Sequence, residues 1–350
     1  MSGVTTLPNF TLPSHATGTT LGANNEQGFG KVPLPQIRPD DVLVEVFGGP
    51  INPSDVYFFE GTYPVKRNRP TIPGFEGSGR VVAVGSSGKW NGLLGANICF
   101  FGGDERSFGS YGDYTVMPGH TVYPIPDHVD LYQASAALVN PLTVEIFIDI
   151  CEKAKTKCIV HTGAAGSLGK ILIEACKQAN ILLINIVRTD NQVSQLKSLG
   201  ADHVLNGESK TFLPDFLTLS HKLKPRALFD AVGGPLASAL IANMPQNSFV
   251  YSYGNLSRQD YTINPSVLLF KNVTLTGIWL SKFAGKPSFV PLAMKAFDKL
   301  SQGSLKTVFS KTFLNSQIKE ALDFYSKNAS QGKVFVRNPS YAGAAPLQKL

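Results

Sequence analysis

The stretch Cys158-Ile159-Val160-His161-Thr162-Gly163-Ala164-Ala165-Gly166-Ser167-Leu168-Gly169-Lys170 carries the clearest chemistry in the chain. An apolar strand ends there, a turn of small residues follows, and an amphipathic helix starts near Ser167. Ala164, Gly166 and Gly169 have the spacing of a dinucleotide fingerprint, with Ala in its first place. Gly166 lets the backbone approach a pyrophosphate, and Gly169 lets the helix lie close on the strand. The unpaired N–H groups and positive dipole end of the helix then hold phosphates. Gly163, Ala165, Ser167 and Leu168 complete the turn and belong to the same site. Short strand-to-helix turns also need glycine for geometry alone, so the following segment decides.

Ile181-Leu182-Leu183-Ile184-Asn185-Ile186-Val187-Arg188 reads as a second buried strand. It ends about twenty residues past the fingerprint, where an acidic residue binds a ribose 2′-hydroxyl. Arg188 stands there instead. A carboxylate repels a 2′-phosphate, whereas a guanidinium pairs with it bidentately. The competing reading is a solvated Arg at a strand end. The expected cofactor is NADPH rather than NADH.

The elements that must position these groups are bounded by size and composition. At 350 residues two domains are the default. A hydrophobic share of 43% with 16% charged residues is that of a globular protein. No apolar run has the length of a membrane span. The formal charge of +7 and pI near 9.1 suit an anionic cofactor or substrate. Lys and Arg are dispersed, however, and no basic stripe interleaved with aromatics points to nucleic acid. Cys99, Cys151, Cys158 and Cys176 have no metal-pair spacing and read as free thiols.

Along the chain, residues 1–30 are rich in Thr, Gly, Asn and Pro and read as an irregular N-terminal arm. Such an arm needs its own domain or a partner assembly to lie against. Asp41–Phe47 alternates as a half-buried strand does, and short strands follow at 79–85, 96–101, 111–117 and 121–125. Their Gly and Pro punctuation predicts a compact antiparallel barrel. Tyr132–Val139 reads as helix, and Asn140-Pro141-Leu142-Thr143 opens another that runs to about Lys153. Strands at 157–162, 181–187, 202–205, 226–231, 248–253 and 273–279 then alternate with helices, the pattern of a doubly wound parallel sheet. A helix at 288–302, a strand at 305–313, a helix at 316–327 and a strand at 333–337 return to the barrel. The expected domains are the arm, a catalytic domain of residues 31–136 and 289–350, and a nucleotide-binding domain of residues 137–288.

Taken together, residues 32–337 resemble the medium-chain dehydrogenase/reductase superfamily, in its zinc-independent quinone oxidoreductase and 2-enoyl thioester reductase branch. The likeness rests on Ile51-Asn52-Pro53-Ser54-Asp55, Gly61-Thr62-Tyr63, Pro73-Gly74-Phe75-Glu76-Gly77-Ser78-Gly79, Val139-Asn140-Pro141-Leu142-Thr143, the fingerprint, Leu199-Gly200-Ala201-Asp202, Asp230-Ala231-Val232-Gly233-Gly234, Gly277-Ile278-Trp279 and Gly332-Lys333-Val334. It implies an α/β protein with a GroES-like β-barrel catalytic domain and a Rossmann domain. Zinc-dependent members place a Cys ligand where this chain has Asn52 and a His ligand where it has Phe75. Phe cannot ligate, and Asn is poor beside thiolate or imidazole. No metal is therefore expected, and alcohol oxidation through a zinc alkoxide gives way to hydride transfer onto an activated double bond.

The resemblance also implies site residues. Tyr63 matches the tyrosine that enoyl reductases of this family use near the substrate carbonyl, and its phenol can donate to an enolate. A pocket-lining aromatic is the alternative. Asn52 is a second catalytic candidate, as a donor to a bound carbonyl, or else part of a turn capped by Ser54 or Asp55. On the cofactor side stand Asn140, Thr143, Gly233, Tyr253, Gly254 and Lys333, the last reaching towards the nucleotide or lying in solvent. Trp279 belongs to the same set or to core and dimer packing. His161 reads as a satisfied core histidine.

These residues imply an NADPH-dependent reductase of an enone, quinone or enoyl thioester, acting as a homodimer. The alternative is a reductase fold kept as a subunit of a larger assembly, through residues 1–30. The resemblance and basic pI favour the mitochondrial matrix. Thirty N-terminal residues without Lys or Arg favour the cytoplasm.

Overall fold

The structure, a computed structural model of the chain, describes residues 3–283 and 289–342. They divide into two units, one formed by the chain up to Val139 and from Phe289 on, the other by Asn140–Phe283.

The first unit begins with β1 (Thr5–Thr6), β2 (His15–Leu21), β3 (Gln27–Pro33), β4 (Asp41–Pro50), α1 (Pro53–Phe59), β5 (Glu76–Val84), β6 (Asn97–Phe101), β7 (Tyr114–Pro118), β8 (Val122–Pro124) and α2 (Leu131–Ala134). The second holds α3 (Asn140–Lys153), β9 (Cys158–Thr162), α4 (Ser167–Gln178), β10 (Leu182–Val187), α5 (Asp190–Ser198), β11 (His203–Asn206), α6 (Phe212–Leu223), β12 (Ala227–Asp230), α7 (Gly234–Asn243), β13 (Phe249–Ser252), α8 (Pro265–Lys271) and β14 (Thr274–Gly277). The chain then returns to the first unit with α9 (Phe289–Ser301), β15 (Phe309–Leu314), α10 (Ile318–Asn328) and β16 (Lys333–Arg337).

In the first unit the strands order β15-β16-β4-β5-β6-β8, with β7 on β4 and β1 on β5. The sheet is mixed rather than wholly antiparallel, because β15 and β16 run parallel. β4 pairs with β5, β7 and β16, so it is buried almost throughout and not half-buried as its alternation predicts. Val42, Val44, Val46, Val81, Ile98 and Phe100 form the core beneath it. Each such side chain contributes about 1.5–3 kcal/mol by leaving water.

The N-terminal segment is not an irregular arm. β1 pairs with β5, and β2 and β3 form an antiparallel hairpin from His15↔Pro33 to Leu21↔Gln27. Its Thr17, Thr19 and Thr20 suit a pleated surface. The Thr19 N–H donates to the Tyr111 carbonyl at 3.0 Å, and Leu21 to that of Thr71 at 2.9 Å. Glycine-rich composition concealed this register. The N-terminal segment therefore no longer argues for a larger assembly, since it finds its partners in its own unit; the tail that also motivated that reading, residues 340–350, lies mostly outside the described residues. Two boundaries also differ. The helix expected over 132–139 stops at Ala134, where bonds such as Ala137 N–H to Ala134 carbonyl close three-residue turns. β15 starts at Phe309 rather than at 305: Leu305 stands at φ 57°, and the Thr307 N–H and carbonyl are both bonded by the Gln133 side chain.

The second unit is one parallel sheet of order β11-β10-β9-β12-β13-β14. Numbered within the unit this is 3-2-1-4-5-6, with the order reversing between β9 and β12. Helices on a parallel sheet bury its strands on both faces, and accordingly β9 and all of β10 but Leu182 are buried, with Cys158–Val160 and Leu182–Ile184 as apolar runs. Among the described residues no helix is long and apolar enough to cross a membrane.

Candidate active site

At the reversal point β9 runs into Gly163 at φ 65°, and α4 begins at Ser167 with Gly166 as its N-cap. Gly166 has no side chain to bond the first-turn N–H groups. Those donors, at the positive end of a twelve-residue helix, suit a pyrophosphate. A Cβ on Gly169 would stand 2.2 Å from the Ala164 carbonyl oxygen. No larger residue fits while the helix lies this close. The turn and helix therefore fit a dinucleotide on geometry as well as spacing.

Arg188 follows β10 directly and is exposed, while its N–H donates to the Gln192 side chain at 3.0 Å. Across the reversal, Asp230 at the end of β12 is fully buried and organises the next turn. Its Oδ1 accepts from the Thr162 hydroxyl at 2.5 Å and Val232 N–H at 3.2 Å. Its Oδ2 accepts from Gly233 N–H at 2.9 Å and the Tyr261 hydroxyl at 2.6 Å. Gly233 is thus held at φ 73° at the start of α7. The functional reading of the sequence passed over Asp230, Thr162 and Tyr261. Aspartate three residues before a glycine was the available signal, since an Asp side chain bonds the backbone just after it.

Tyr253 and Gly254 follow β13. The Tyr253 hydroxyl lies 2.6 Å from Nε2 of His161, which is fully buried. Burial pushes that imidazole down to about 3, so it is neutral, and the same burial pushes the phenol up. His161 is only half satisfied, because its Nδ1 has no partner among the described residues. Asn140 and Thr143 occupy the first turn of α3, both 7% exposed. Trp279, just past β14, is half-buried rather than core.

The first unit holds a different kind of site. Asn52 caps α1, and its N–H donates to Asp55 Oδ2 at 2.8 Å, so Asp55 is the capping carboxylate. Asp55 Oδ1 accepts from Phe75 N–H at 3.0 Å. Asn52 itself is 1% exposed, and its carboxamide is held at both ends. Its Nδ2 donates to Glu76 Oε1 at 2.9 Å, while its Oδ1 accepts from the Lys333 ammonium. Glu76 Oε2 accepts from Val139 N–H at 2.9 Å. The role expected for Asn52 narrows, since one of its two amide hydrogens is spent on Glu76. Lys333 is 4% exposed, so it is not a solvated lysine, and its ammonium points into this unit.

Burial raises Asp55 to about 6 and Glu76 to about 7, and the Lys333 charge draws both back. Burial lowers Lys333 in turn, opposed by the same carboxylates. Arg67, 6% exposed, donates to the carbonyls of Gly102 at 2.9 Å and Ile72 at 3.2 Å. It lies 5.0 Å from the centre of the Phe75 ring, and the ring of Tyr63 packs on the same phenyl at 5.1 Å. Tyr63 is half-buried on the loop after α1.

This donor set does not suit zinc. Of the positions that hold zinc in metal-dependent members, one is the phenyl of Phe75 and another the Asn52 amide already engaged by an ammonium. Both Glu76 oxygens accept hydrogen bonds, and a cation in place repels a second. Among the described residues no group of three or more His, Cys, Asp or Glu is arranged to hold a metal ion.

Comparison with known proteins agrees with both units. Residues 38–127 match the alcohol dehydrogenase GroES-like domain, and residues 167–298 match the zinc-binding dehydrogenase model. A mitochondrial enoyl-[acyl-carrier-protein] reductase of Arabidopsis thaliana is 31% identical over 258 residues, covering 72% of this chain and 68% of that one. The structure of a candidate NADPH:quinone reductase from Mesorhizobium loti is 31% identical, with a TM-score of 0.87 over 94% of this chain and all of the other. A mycobacterial protein solved in complex with NADPH has the same fold at 21% identity, with a TM-score of 0.79 over 92% of this chain and 99% of the other.

Proposed function

This chain belongs to the medium-chain dehydrogenase/reductase superfamily, in its zinc-independent quinone and enoyl reductase branch, and on that premise we propose an NADPH-dependent reductase of a conjugated double bond. It is an oxidoreductase. The observation that carries the cofactor is the uncapped helix start at Gly166 followed by the exposed guanidinium of Arg188. The first-turn N–H groups of α4 hold the pyrophosphate, and Arg188 pairs with the 2′-phosphate. Gly233, Tyr253, Gly254, Asn140 and Thr143 line the nicotinamide end, with the Gly233 backbone held by Asp230 and the Tyr253 side chain by His161. Trp279 keeps a place in that set.

When bound, a reduced nicotinamide supplies a hydride. What the chain's own residues supply is charge control at the acceptor. Tyr63 donates its phenolic proton to the carbonyl oxygen as negative charge builds there, with its ring held by Phe75. The remaining amide hydrogen of Asn52 is a second donor to the same oxygen. Enones, quinones and enoyl thioesters share this electronic demand. The relatives named above are called an enoyl-[acyl-carrier-protein] reductase and a candidate NADPH:quinone reductase, which favours those acceptors.

Purified protein incubated with NADPH and a panel of these acceptors tests the reading. Acceptor-dependent NADPH oxidation, insensitive to chelators, supports it; failure to bind or oxidise NADPH with any of them rejects it. We place the enzyme in the mitochondrial matrix, on the mitochondrial relatives. We also propose a homodimer. β14 is an edge strand with all four residues exposed, and Leu269 and Phe270 on α8 are 72% and 78% exposed.

A further inference from the structure

Residues 60–75 join α1 to β5 and belong to neither helix nor strand. A segment of that kind owes its order to whatever takes up its backbone polar groups. Tyr63 and Arg67 both lie on it. Arg67 is 6% exposed, a depth that a guanidinium reaches only with partners. Its Nη1 donates to the Ile72 carbonyl at 3.2 Å, and its Nη2 donates to the Gly102 carbonyl at 2.9 Å, with the Gly74 carbonyl at 3.5 Å. The Gly102 N–H in turn donates to the Phe75 carbonyl at 2.9 Å, and the Phe75 N–H donates to Asp55 Oδ1 at 3.0 Å. One planar fork thus ties the loop to the residue after β6, and the backbone of Phe75 is held at both its N–H and its carbonyl.

The Phe75 ring completes the arrangement. The guanidinium carbon lies 5.0 Å from its centre, Phe58 meets it edge-on at 5.3 Å, and the Tyr63 ring packs on it at 5.1 Å. A cation within about 6 Å of a ring centroid is attracted by the ring, and more strongly where water is excluded. Burial lowers Arg67 to about 10, opposed by the charge of Asp55, so the guanidinium is still charged at neutral pH. A lysine here would keep the charge and lose the fork that reaches two carbonyls at once.

We propose that Arg67 is a positioning residue for Tyr63, fixing through the Phe75 ring where the phenolic hydroxyl stands when an acceptor carbonyl approaches. This rests on the reading of Tyr63 as proton donor for its kinetic consequence only. The seating of the Tyr63 ring is a property of the loop, with or without turnover.

The test uses full-length protein with Arg67→Lys, Tyr63→Phe and the pair combined, measuring acceptor kcat and KM and the NADPH dissociation constant. Arg67→Lys is expected to lower kcat about threefold to thirtyfold, the span of one buried cation–π contact, while NADPH affinity stays within about twofold. In the Tyr63→Phe background the same change alters kcat less than about twofold, because no proton donor remains to be displaced. Equal losses in both backgrounds mean that Arg67 serves the fold alone, and they overturn the proposal. A fluorotyrosine introduced at residue 63 alone gives a readout that needs no turnover. Its fluorine NMR resonance is expected to move towards the denatured-state position in Arg67→Lys; an unmoved resonance overturns the proposal. A moved resonance with no acceptor reduced supports the seating of Tyr63 while the reductase reading fails. Should Arg67→Lys not fold, Phe75→Leu removes the ring between the two residues. A kcat loss in Phe75→Leu that vanishes beside Tyr63→Phe supports the proposal, and one that persists overturns it.

Discussion

A Cβ on Gly169 would stand 2.2 Å from the carbonyl oxygen of Ala164, so the fingerprint's last glycine is the contact that lets α4 sit against the end of β9. Gly169→Ala forces the helix start away from the turn. Overpacking of this kind costs about 1–3 kcal/mol. Thermal unfolding should fall by several degrees and NADPH binding should weaken in the same variant. An unchanged midpoint with unchanged binding contradicts the packing.

Arg188 carries the preference between cofactors. In Arg188→Ala, kcat/KM with NADPH drops about tenfold to a hundredfold, as for a lost charge-assisted pair, while that with NADH stays within a factor of about two. Equal losses with both cofactors show that the guanidinium does not read the 2′-phosphate.

Tyr63→Phe keeps the ring on Phe75 and removes the proton. A general acid contributes about 10²–10⁴ in rate. The expected result is a fall in kcat of that order with NADPH affinity intact. If only the acceptor KM moves, Tyr63 lines the pocket and does not donate.

Two buried groups give stability slopes of opposite sign. His161 titrates near 3 when folded against 6.5 ordinarily, so the unfolded chain binds more protons between those values. Its contribution is complete above pH 6.5 and is lost as pH falls, by about 1.4 kcal/mol per unit. Glu76 titrates near 7 when folded against 4.5, so the folded chain binds more protons there. Its contribution is complete below pH 4.5 and is lost as pH rises to 7. Urea midpoints across pH 4 to 7 should lose the first slope in His161→Gln and the second in Glu76→Gln. A variant with the parent's profile removes its group from the account.

Phe270→Asp, on the exposed face of α8, should convert a dimer to monomer in light scattering. A parent protein that is monomeric at all concentrations rejects the dimer.

The second unit was the more legible in sequence. Four of its strands, β9, β10, β12 and β13, open on short apolar runs, and its turn depends on residues adjacent in the chain, Ala164 to Gly169. The hub on Asp230 was harder to see, because Thr162 and Tyr261 lie 68 and 31 positions away. In the first unit the pairing of Lys333 with Asn52 spans 281 positions, and nothing local marks it. A buried lysine and a solvated one look alike in sequence. The β2–β3 hairpin was hidden for another reason: its Gly and Thr content imitates a loop, and its register comes from Tyr111 and Thr71, far along the chain.

Hydride transfer itself gives the most direct test. NADPH carrying deuterium at the transferable position of the nicotinamide is incubated with the protein and an enone or enoyl thioester, and the product is examined by mass spectrometry and NMR. The account predicts one deuterium at the carbon β to the carbonyl and a solvent proton at the α carbon. Product without deuterium from either face of the nicotinamide, or no product and no NADPH bound, contradicts it.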